Sequence, residues 1–269
     1  MSSFTTKGTK FKLRGSTNKK ILIFVHGLGL KGEMWQWLPK ELEQEFTIVT
    51  YDIFGHGESS LPEKSPTLRM FSLQIKELMD HCNFDRIILA GFSLGGMIVR
   101  RFAQDFPKLV EGLIIINSPH VRSQKQQKSI EARVSLSQES GPTATVSAAI
   151  TRWFSANFIK GNPSIIDKVK KWILSNDPII YPKIYKILAY DLEEIIKPQP
   201  PINCPTLIIT ADQDYGNGPE MSEKIAKEIS QSQLHIMRNL KHMGLVEDPN
   251  QFGSIIKPFL QQFTTVGPI

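Results

Sequence analysis

Six short runs of apolar, mostly β-branched residues recur along the chain, and segments with helical periodicity separate most of them. The runs are nearly continuous rather than alternating, which is typical of strands buried on both faces of a sheet. They are Ile21–Val25, Phe46–Tyr51, Arg86–Ala90, Leu113–Ile116, Thr206–Thr210 and Gln233–Met237. Strands that alternate with helices predict an α/β protein with a mostly parallel, twisted sheet and helices on both of its faces.

This alternation stops between about residues 120 and 200. The pattern there is helical and amphipathic, and glycine and proline residues interrupt it near positions 141, 161 and 177. We therefore predict a helical lid, residues 121–200 (called the insert below), within an α/β core made of residues 1–120 and 201–269. Beyond the insert the clearest helix is the last one, because Asp248 can cap it, Pro249 suits its first turn, and its apolar stripe repeats every three or four residues.

The charge of the chain is concentrated in the insert. The 269 residues include 32 Lys and Arg against 26 Asp and Glu, a net charge of +6, and the insert alone holds 12 against 7, or +5. A basic balance suggests nucleic acid or a membrane surface as a partner. The basic clusters at 122–128 and 168–171 lack the interleaved aromatic residues of a nucleic-acid site, so we expect neither partner, and a solvated helical face explains them more simply.

The cysteines and the N-terminus bear on the compartment. Cys82 and Cys204 are too few for a disulfide framework and lack the spacing of metal ligands. The apolar runs are too short to span a bilayer, and the polar N-terminus has no signal-peptide pattern. We expect a cytoplasmic protein without a metal, and the sequence leaves the oligomeric state open.

The strongest chemical signal is Gly91-Phe92-Ser93-Leu94-Gly95-Gly96, which directly follows one predicted strand and precedes a helical stretch. This is the context of the G-x-S-x-G nucleophile elbow. A sharp turn forces the central serine into a strained conformation, and small residues on either side avoid a backbone clash. The hydroxyl of Ser93 is then presented at the C-terminal edge of the sheet, beside the start of a helix where negative charge is favoured.

Together with two further motifs, this elbow resembles the α/β-hydrolase family over about residues 10–263. Phe24-Val25-His26-Gly27-Leu28-Gly29 is similar to the oxyanion loop of that family, and the segment from Tyr51 to Ser59 is similar to its D-x-x-G-x-G-x-S turn. The resemblance implies an α/β-hydrolase fold with a cap. His26 and His56 lie in these two loops, where we expect them to form loop hydrogen bonds.

A serine needs a base oriented by a carboxylate, and the family order is serine, acid, histidine. His242, in the loop before the last helix, is the histidine that the resemblance implies. Two carboxylates, Asp212 and Asp214, follow the strand at Thr206, and the family phrase G-x-x-D favours Asp214, with Ala211 in place of its glycine. The implied triad is therefore Ser93, Asp214 and His242.

By position, the backbone N–H groups of Leu28 and Leu94 form the oxyanion hole that the resemblance implies. No phosphate-binding G-x-x-x-x-G-K and no H-E-x-x-H zinc motif is present, so we expect no cofactor. A serine at the elbow also argues against relatives that use an aspartate nucleophile.

The insert gives the candidates for substrate contact. Its Arg152-Trp153-Phe154 phrase, with Tyr185 and Asp191 further on, resembles the 3-oxoadipate enol-lactonase branch. We expect Trp153 to face the pocket and Arg152 or a nearby lysine to meet a substrate carboxylate, although packing within the lid would also explain Trp153. His120 is a third candidate, either at the mouth of the pocket or as a plain loop residue.

These motifs predict a serine hydrolase that acts on a small ester or lactone, in some cases one that carries a carboxylate. Two other activities would reuse the same triad, namely a C–C bond hydrolase of ring-cleavage products and a perhydrolase or haloperoxidase-like enzyme. A ligand-binding receptor that retains the triad is an alternative of another class. The small molecule itself is the only partner that the sequence suggests.

Overall fold

The described residues, 2–16 and 19–264 of a computed structural model, form an eight-stranded sheet flanked by helices. The strands are β1 Ser2–Phe4, β2 Lys10–Arg14, β3 Lys20–Val25, β4 Phe46–Tyr51, β5 Ile87–Phe92, β6 Val110–Ile116, β7 Thr206–Ala211 and β8 Ser232–Met237. The helices are α1 Leu42–Glu45, α2 Leu68–Cys82, α3 Leu94–Asp105, α4 Gln124–Ser140, α5 Val146–Trp153, α6 Ala156–Gly161, α7 Pro163–Leu174, α8 Ile180–Tyr190, α9 Pro219–Glu228, α10 Gly244–Glu247 and α11 Pro249–Gln261.

The strand order is β1-β2-β4-β3-β5-β6-β7-β8, and β3 to β8 are parallel. The six predicted strands are all present, with ends that differ by up to three residues. The strands β1 and β2 are additional and pair antiparallel at one edge of the sheet. In β2 only Phe11 is buried, and its basic neighbours Lys10, Lys12 and Arg14 face away from the core. A strand of this composition carries no continuous apolar run, so the pattern used for the other strands does not detect it.

The parallel strands are buried on both faces, as their continuous apolar pattern predicts. In β3, Ile21, Ile23 and Val25 pack into the cluster on one side of the sheet, and Leu22 and Phe24 pack into the cluster on the other. Successive side chains of a strand point to opposite faces, so both faces need a helical layer. The last helix begins as predicted, because Asp248 accepts a hydrogen bond from the backbone N–H of Gln251 and Pro249 occupies the first turn.

The insert lies between β6 and β7 and consists of α4 to α8 followed by a short 3-10 turn at Asp191–Glu194. All of its residues are described, and none of them is in a strand. Phe154 and Trp172 join the apolar cluster on one side of the sheet, whereas Tyr181 joins the cluster on the other. The insert is therefore packed onto the core and does not form a separate hydrophobic unit.

The connections of two neighbouring strands leave in opposite directions at the centre of the sheet. The neighbouring strands β3 and β5 lie at this centre. After β3 the chain continues to β4, on the outer side of β3, and after β5 it continues to β6, on the outer side of β5. In an open parallel sheet such a reversal creates a crevice at the carboxyl ends of the strands, which is where ligands bind. The loop after β3 and the turn after β5 meet at this crevice.

Candidate active site

The turn after β5 holds Ser93 in a strained backbone conformation, with φ of 55° and ψ of −113°. The glycines around it permit this geometry. A Cβ atom on Gly91 would lie 2.2 Å from the carbonyl oxygen of Gly95, and one on Gly95 would lie 2.2 Å from that of Val25. Both contacts are with backbone atoms, which cannot yield as a flexible side chain can. The small residues predicted around the serine are thus required by close approach between β5, α3 and β3.

The loop after β3 lies beside this serine. A Cβ atom on Gly27 would lie 3.2 Å from the Cβ of Ser93. The next residue, Leu28, and the first residue of α3, Leu94, both have backbone N–H groups with no acceptor among the described residues. Two unpartnered N–H groups next to the serine are available to an oxygen atom of a bound molecule.

Two buried histidines hold the loops after β3 and β4 against each other. The Nε2 atom of His26 accepts a hydrogen bond from Ile53 N at 3.0 Å, and the Nε2 atom of His56 accepts one from Gly29 N at 2.9 Å. Burial lowers the pKa of both imidazoles, which therefore remain neutral and able to accept. Sequence reasoning predicts loop hydrogen bonds for both residues, and this reciprocal arrangement fixes the loop that contains Leu28.

Asp214 and His242 form a buried pair. The Nδ1 atom of His242 lies 2.6 Å from Oδ2 of Asp214, and the amide of Asn117 donates to the same oxygen at 2.8 Å. The other oxygen, Oδ1, accepts the backbone N–H groups of Gly216 and Asn217, each at 3.1 Å. Burial alone would raise the pKa of Asp214, but the charge of His242 and these hydrogen bonds outweigh it, so the pKa lies below its usual value.

Asn117 is a site residue whose role sequence reasoning misses. It follows β6 with a left-handed backbone, φ of 47°, and supports Asp214 through its side chain. Its carbonyl oxygen also accepts the side-chain amide of Asn217 at 2.9 Å. The one available signal was its position at the carboxyl end of a strand next to β7.

The competing carboxylate, Asp212, is turned elsewhere, and its Oδ1 accepts the N–H of Leu240 at 3.4 Å.

The ring of His242 lies between Asp214 and a cavity of about 630 Å³ that Ser93 also lines. Its centroid is 4.8 Å from that of Phe92 and 6.0 Å from that of Trp153. Ser93 Oγ and His242 form no hydrogen bond with each other among the described contacts. Catalytic hydrogen bonds are often long before substrate binds, and both groups line the same cavity.

The loop that carries His242 is attached to the insert. The carbonyl oxygen of Trp153 accepts the N–H of Met243 at 2.9 Å, and that of Thr151 accepts Lys241 Nζ at 2.9 Å. Trp153 and Arg152 both line the cavity, and their contact with a substrate stays a prediction.

His120 does not line this cavity, contrary to one of the two expectations for it. It is buried, its Nε2 lies 3.1 Å from a carboxylate oxygen of Glu228, and burial lowers its pKa. The adjacent Arg100 is also buried and donates to the carbonyl oxygens of Pro119 at 3.0 Å and Ile195 at 2.9 Å. The loop after β6 turns toward α3 and α9 at this point, which removes His120 from the mouth of the cavity.

Comparison with known proteins agrees with this geometry. Residues 20–249 match the model of the alpha/beta hydrolase fold family. The chain belongs to this family. Since the matched region covers most of the chain, and the related proteins and structures are hydrolases, the protein is an α/β-hydrolase enzyme.

Individual relatives are more distant. The chain is 27% identical over 250 residues to 3-oxoadipate enol-lactonase 2 of Acinetobacter baylyi. The aligned region covers 93% of this chain and 91% of that protein. It is 22% identical over 240 residues to the (E)-2-((N-methylformamido)methylene)succinate hydrolase of the same organism, covering 89% and 90%. The crystal structure of the enol-lactonase from Burkholderia xenovorans superposes with a TM-score of 0.88 at 20% identity, covering 97% of this chain and all of that one.

Among the helices of the described residues, none has both the length and the apolar character needed to cross a membrane.

Proposed function

We propose that this hydrolase cleaves a small carboxylic ester or lactone through an acyl-enzyme intermediate, with Ser93 as nucleophile, His242 as base and Asp214 as its orienting acid. The observation that carries the proposal is the 2.6 Å contact between Asp214 and His242 on the wall of the cavity that Ser93 enters from its strained turn. Nucleophile, base and acid converge here on one space that can hold a small molecule.

In the first half of the reaction, Ser93 Oγ attacks the carbonyl carbon and its proton passes to Nε2 of His242. The negative charge that develops on the carbonyl oxygen is stabilised by the N–H groups of Leu28 and Leu94. Each such donor is typically worth about 2.7–4 kcal/mol of the barrier. The intermediate then expels the alkoxide or enolate, which takes the proton from His242; in a lactone this group stays attached to the acyl chain.

In the second half, His242 removes a proton from water as the water oxygen attacks the acyl carbon. The intermediate then collapses, His242 returns the proton to Ser93 Oγ, and the acid is released. Asp214 remains ionised throughout because its pKa is lowered. It therefore accepts from Nδ1 of His242 and keeps the lone pair of Nε2 toward the cavity. Asn117 and the backbone N–H groups of Gly216 and Asn217 hold the carboxylate in this orientation.

The substrate class rests on the cavity and on the relatives. A volume of about 630 Å³ is within the range of small-molecule sites. Arg152 and Trp153 line it from the insert and are proposed to contact the substrate. The enol-lactonase and the succinate-derivative hydrolase, by their names, act on small carboxylate compounds, which supports a lactone or ester of similar size.

The experiment that tests the proposal is hydrolysis of 4-nitrophenyl butyrate by the wild type and by Ser93→Ala. We expect turnover to fall to the uncatalysed rate in the variant while the melting temperature stays within a few degrees. Ser254→Ala, on the exposed face of α11, is the matched control and should keep full activity. Full activity of Ser93→Ala would refute the assignment.

The same assay separates the other functions. A receptor would release about one equivalent of nitrophenol per chain and stop, whereas an enzyme turns over many times. Esters and lactones tested beside a ring-cleavage diketone and a peracid-forming reaction would rank the hydrolytic activities.

We propose that the enzyme works in the cytoplasm; the free cysteines Cys82 and Cys204 support a reducing compartment.

A further inference from the structure

The cavity wall carries unusual uncompensated positive charge. Five cationic side chains line it, and none of the five is ion-paired with a carboxylate among the described residues; they are Arg122, Lys125, Arg133, Arg152 and Lys241. The one carboxylate that lines the cavity, Asp214, is already bound by His242 and Asn117. A bound anion would supply the charge that the protein does not.

Arg152 and Lys125 are the two of these cations that form no hydrogen bond with a described residue, and Arg152 is the one that interacts with Tyr185. Arg122 donates to the carbonyl oxygens of Leu188 and Ala189, and Lys241 to that of Thr151. Arg152 forms no hydrogen bond or ion pair with any described residue. Arg152 is exposed to solvent at the cavity wall; partial desolvation lowers the pKa of its guanidinium, and the neighbouring Tyr185 opposes this most strongly. Its donors are therefore free for an anion that enters the cavity.

Tyr185 lies within this group of arginines and has a free proton to donate. Its side chain is buried, and its hydroxyl oxygen accepts a hydrogen bond from Arg133 Nε at 3.0 Å. The phenol also interacts electrostatically with Arg122 and Arg152. Since Arg133 can only donate, the O–H of Tyr185 must point elsewhere, and no described residue accepts it. A second hydrogen bond, from Arg133 to Ser129 Oγ at 2.9 Å, holds the guanidinium in place.

We propose that Arg152 and Tyr185 together bind a carboxylate of the substrate, and that Arg133 is a positioning residue that aims the hydroxyl of Tyr185. The proposal rests on the proposed ester or lactone hydrolysis and specifies its substrate as a monoanion. A planar carboxylate has two oxygens, which match the flat donor fork of a guanidinium and one additional O–H. A neutral acyl chain would offer no charged partner to Arg152 and would leave the O–H of the buried Tyr185 without an acceptor.

The test compares two substrates that differ in one charge. The first is the mono-4-nitrophenyl ester of glutaric acid, which keeps a free carboxylate, and the second is the same compound with that carboxylate converted to a methyl ester. We expect the wild type to hydrolyse the anionic ester with at least a tenfold higher kcat/KM, because a charge-assisted hydrogen bond typically changes an equilibrium by about 10- to 100-fold. Arg152→Gln should lower kcat/KM for the anionic ester by about 100-fold and for the neutral ester by less than threefold. Tyr185→Phe should cost about tenfold on the anionic ester, mainly through KM.

The role of Arg133 is tested by a double-mutant cycle. Arg133→Gln should lower kcat/KM for the anionic ester about tenfold in the wild type but less than twofold in the Tyr185→Phe background. Arg133→Lys, which keeps a donor and the charge, should recover part of the loss. An equal loss in both backgrounds would show that Arg133 does not act through Tyr185.

Lys128→Gln is the control for long-range charge, because Lys128 is exposed on α4 and does not line the cavity. It should leave the ratio of the two substrates within twofold of the wild type. A ratio below threefold in the wild type, or an equal loss on both esters in Arg152→Gln, would overturn the carboxylate site.

The neutral ester separates this failure from failure of the proposed function. If the neutral ester is turned over and Ser93→Ala abolishes that activity, the hydrolase assignment stands whatever the anionic ester does. If neither ester is turned over by the wild type, it is the proposed function that fails.

Discussion

Replacing Asp214 by asparagine reverses one hydrogen bond of the site. Both backbone N–H groups at Gly216 and Asn217 point at Oδ1, so the amide oxygen of the new side chain must take that place. The NH₂ group then replaces Oδ2 and faces Nδ1 of His242, now at donor distance. It donates to Nδ1, which moves the imidazole proton to Nε2, and in the proposed mechanism the ring can then no longer accept the proton of Ser93.

The magnitude follows from this tautomer. Loss of the correctly oriented base in a serine triad lowers kcat by about 10⁴-fold, and at 1.36 kcal/mol per factor of ten the barrier rises by about 5 kcal/mol. Asn117 adds to the loss, because its amide donates to Oδ2 at 2.8 Å and would meet a second donor in Asp214→Asn. We expect kcat for 4-nitrophenyl butyrate to fall between 10³- and 10⁴-fold, with Ser93→Ala measured in parallel as the lower limit.

Asp212→Asn is the matched control, since it removes a carboxylate two positions away in the same loop. Its Oδ1 has only a long contact with Leu240 N, at 3.4 Å, so we expect less than a threefold change in kcat. If Asp214→Asn keeps more than a tenth of the wild-type kcat, or if both variants lose activity equally, the hydrogen-bond argument is refuted. Similar melting temperatures of the two variants would exclude unfolding as the reason for a difference.

Three further predictions concern stability, each measured by urea unfolding. Gly95→Ala should lower the free energy of unfolding by about 3 kcal/mol, because the new Cβ would meet the backbone of Val25. The control Gly161→Ala, whose new Cβ has no atom within 4 Å, should change the free energy of unfolding by less than about 0.5 kcal/mol. Arg100→Met should cost about 3 kcal/mol, because the carbonyl oxygens of Pro119, just before the insert, and of Ile195, near its end, lose their donor, and proteolysis within the insert should become faster. Burial, with a neighbouring glutamate, raises the pKa of Asp191 to about 6, so its charge destabilises the fold above that pH and not below about pH 4. Since this side chain is half-buried, Asp191→Asn should stabilise the protein by about 1 kcal/mol at pH 8 and leave it unchanged at pH 4.

The sheet was predictable from the sequence wherever strands are buried on both faces. Runs such as Phe46–Tyr51 have no other explanation in a chain of this composition, and the strand β4 has those same bounds. The antiparallel strands β1 and β2 could not be found in this way, because a strand such as β2, with one solvated face and alternating basic residues, has the composition of a loop.

The positions of the site residues were predictable where a backbone constraint marks them. The glycines around Ser93 and after His26 identify the two turns, since close approach of the backbone leaves no other choice. His120 and Asn117 carry no such mark. Both follow β6, but the local chain turns one toward Glu228 and the other toward Asp214, and that direction is decided by packing against α9 and β7.

The charge of the insert takes a different meaning once its side chains are placed. Of its twelve cations, Arg122, Lys125, Arg133 and Arg152 line the cavity without a carboxylate partner, while Lys168 pairs with Glu33 on the surface. Periodicity shows that a helix has a polar face, but it does not show which face of which helix meets the cavity. The sequence could therefore place the excess positive charge in the insert but could not place it at the cavity. Solubility requires only that charge be solvated. Solubility does not explain why three arginines, Arg122, Arg133 and Arg152, gather around the buried phenol of Tyr185, whereas the proposed binding of an anion does.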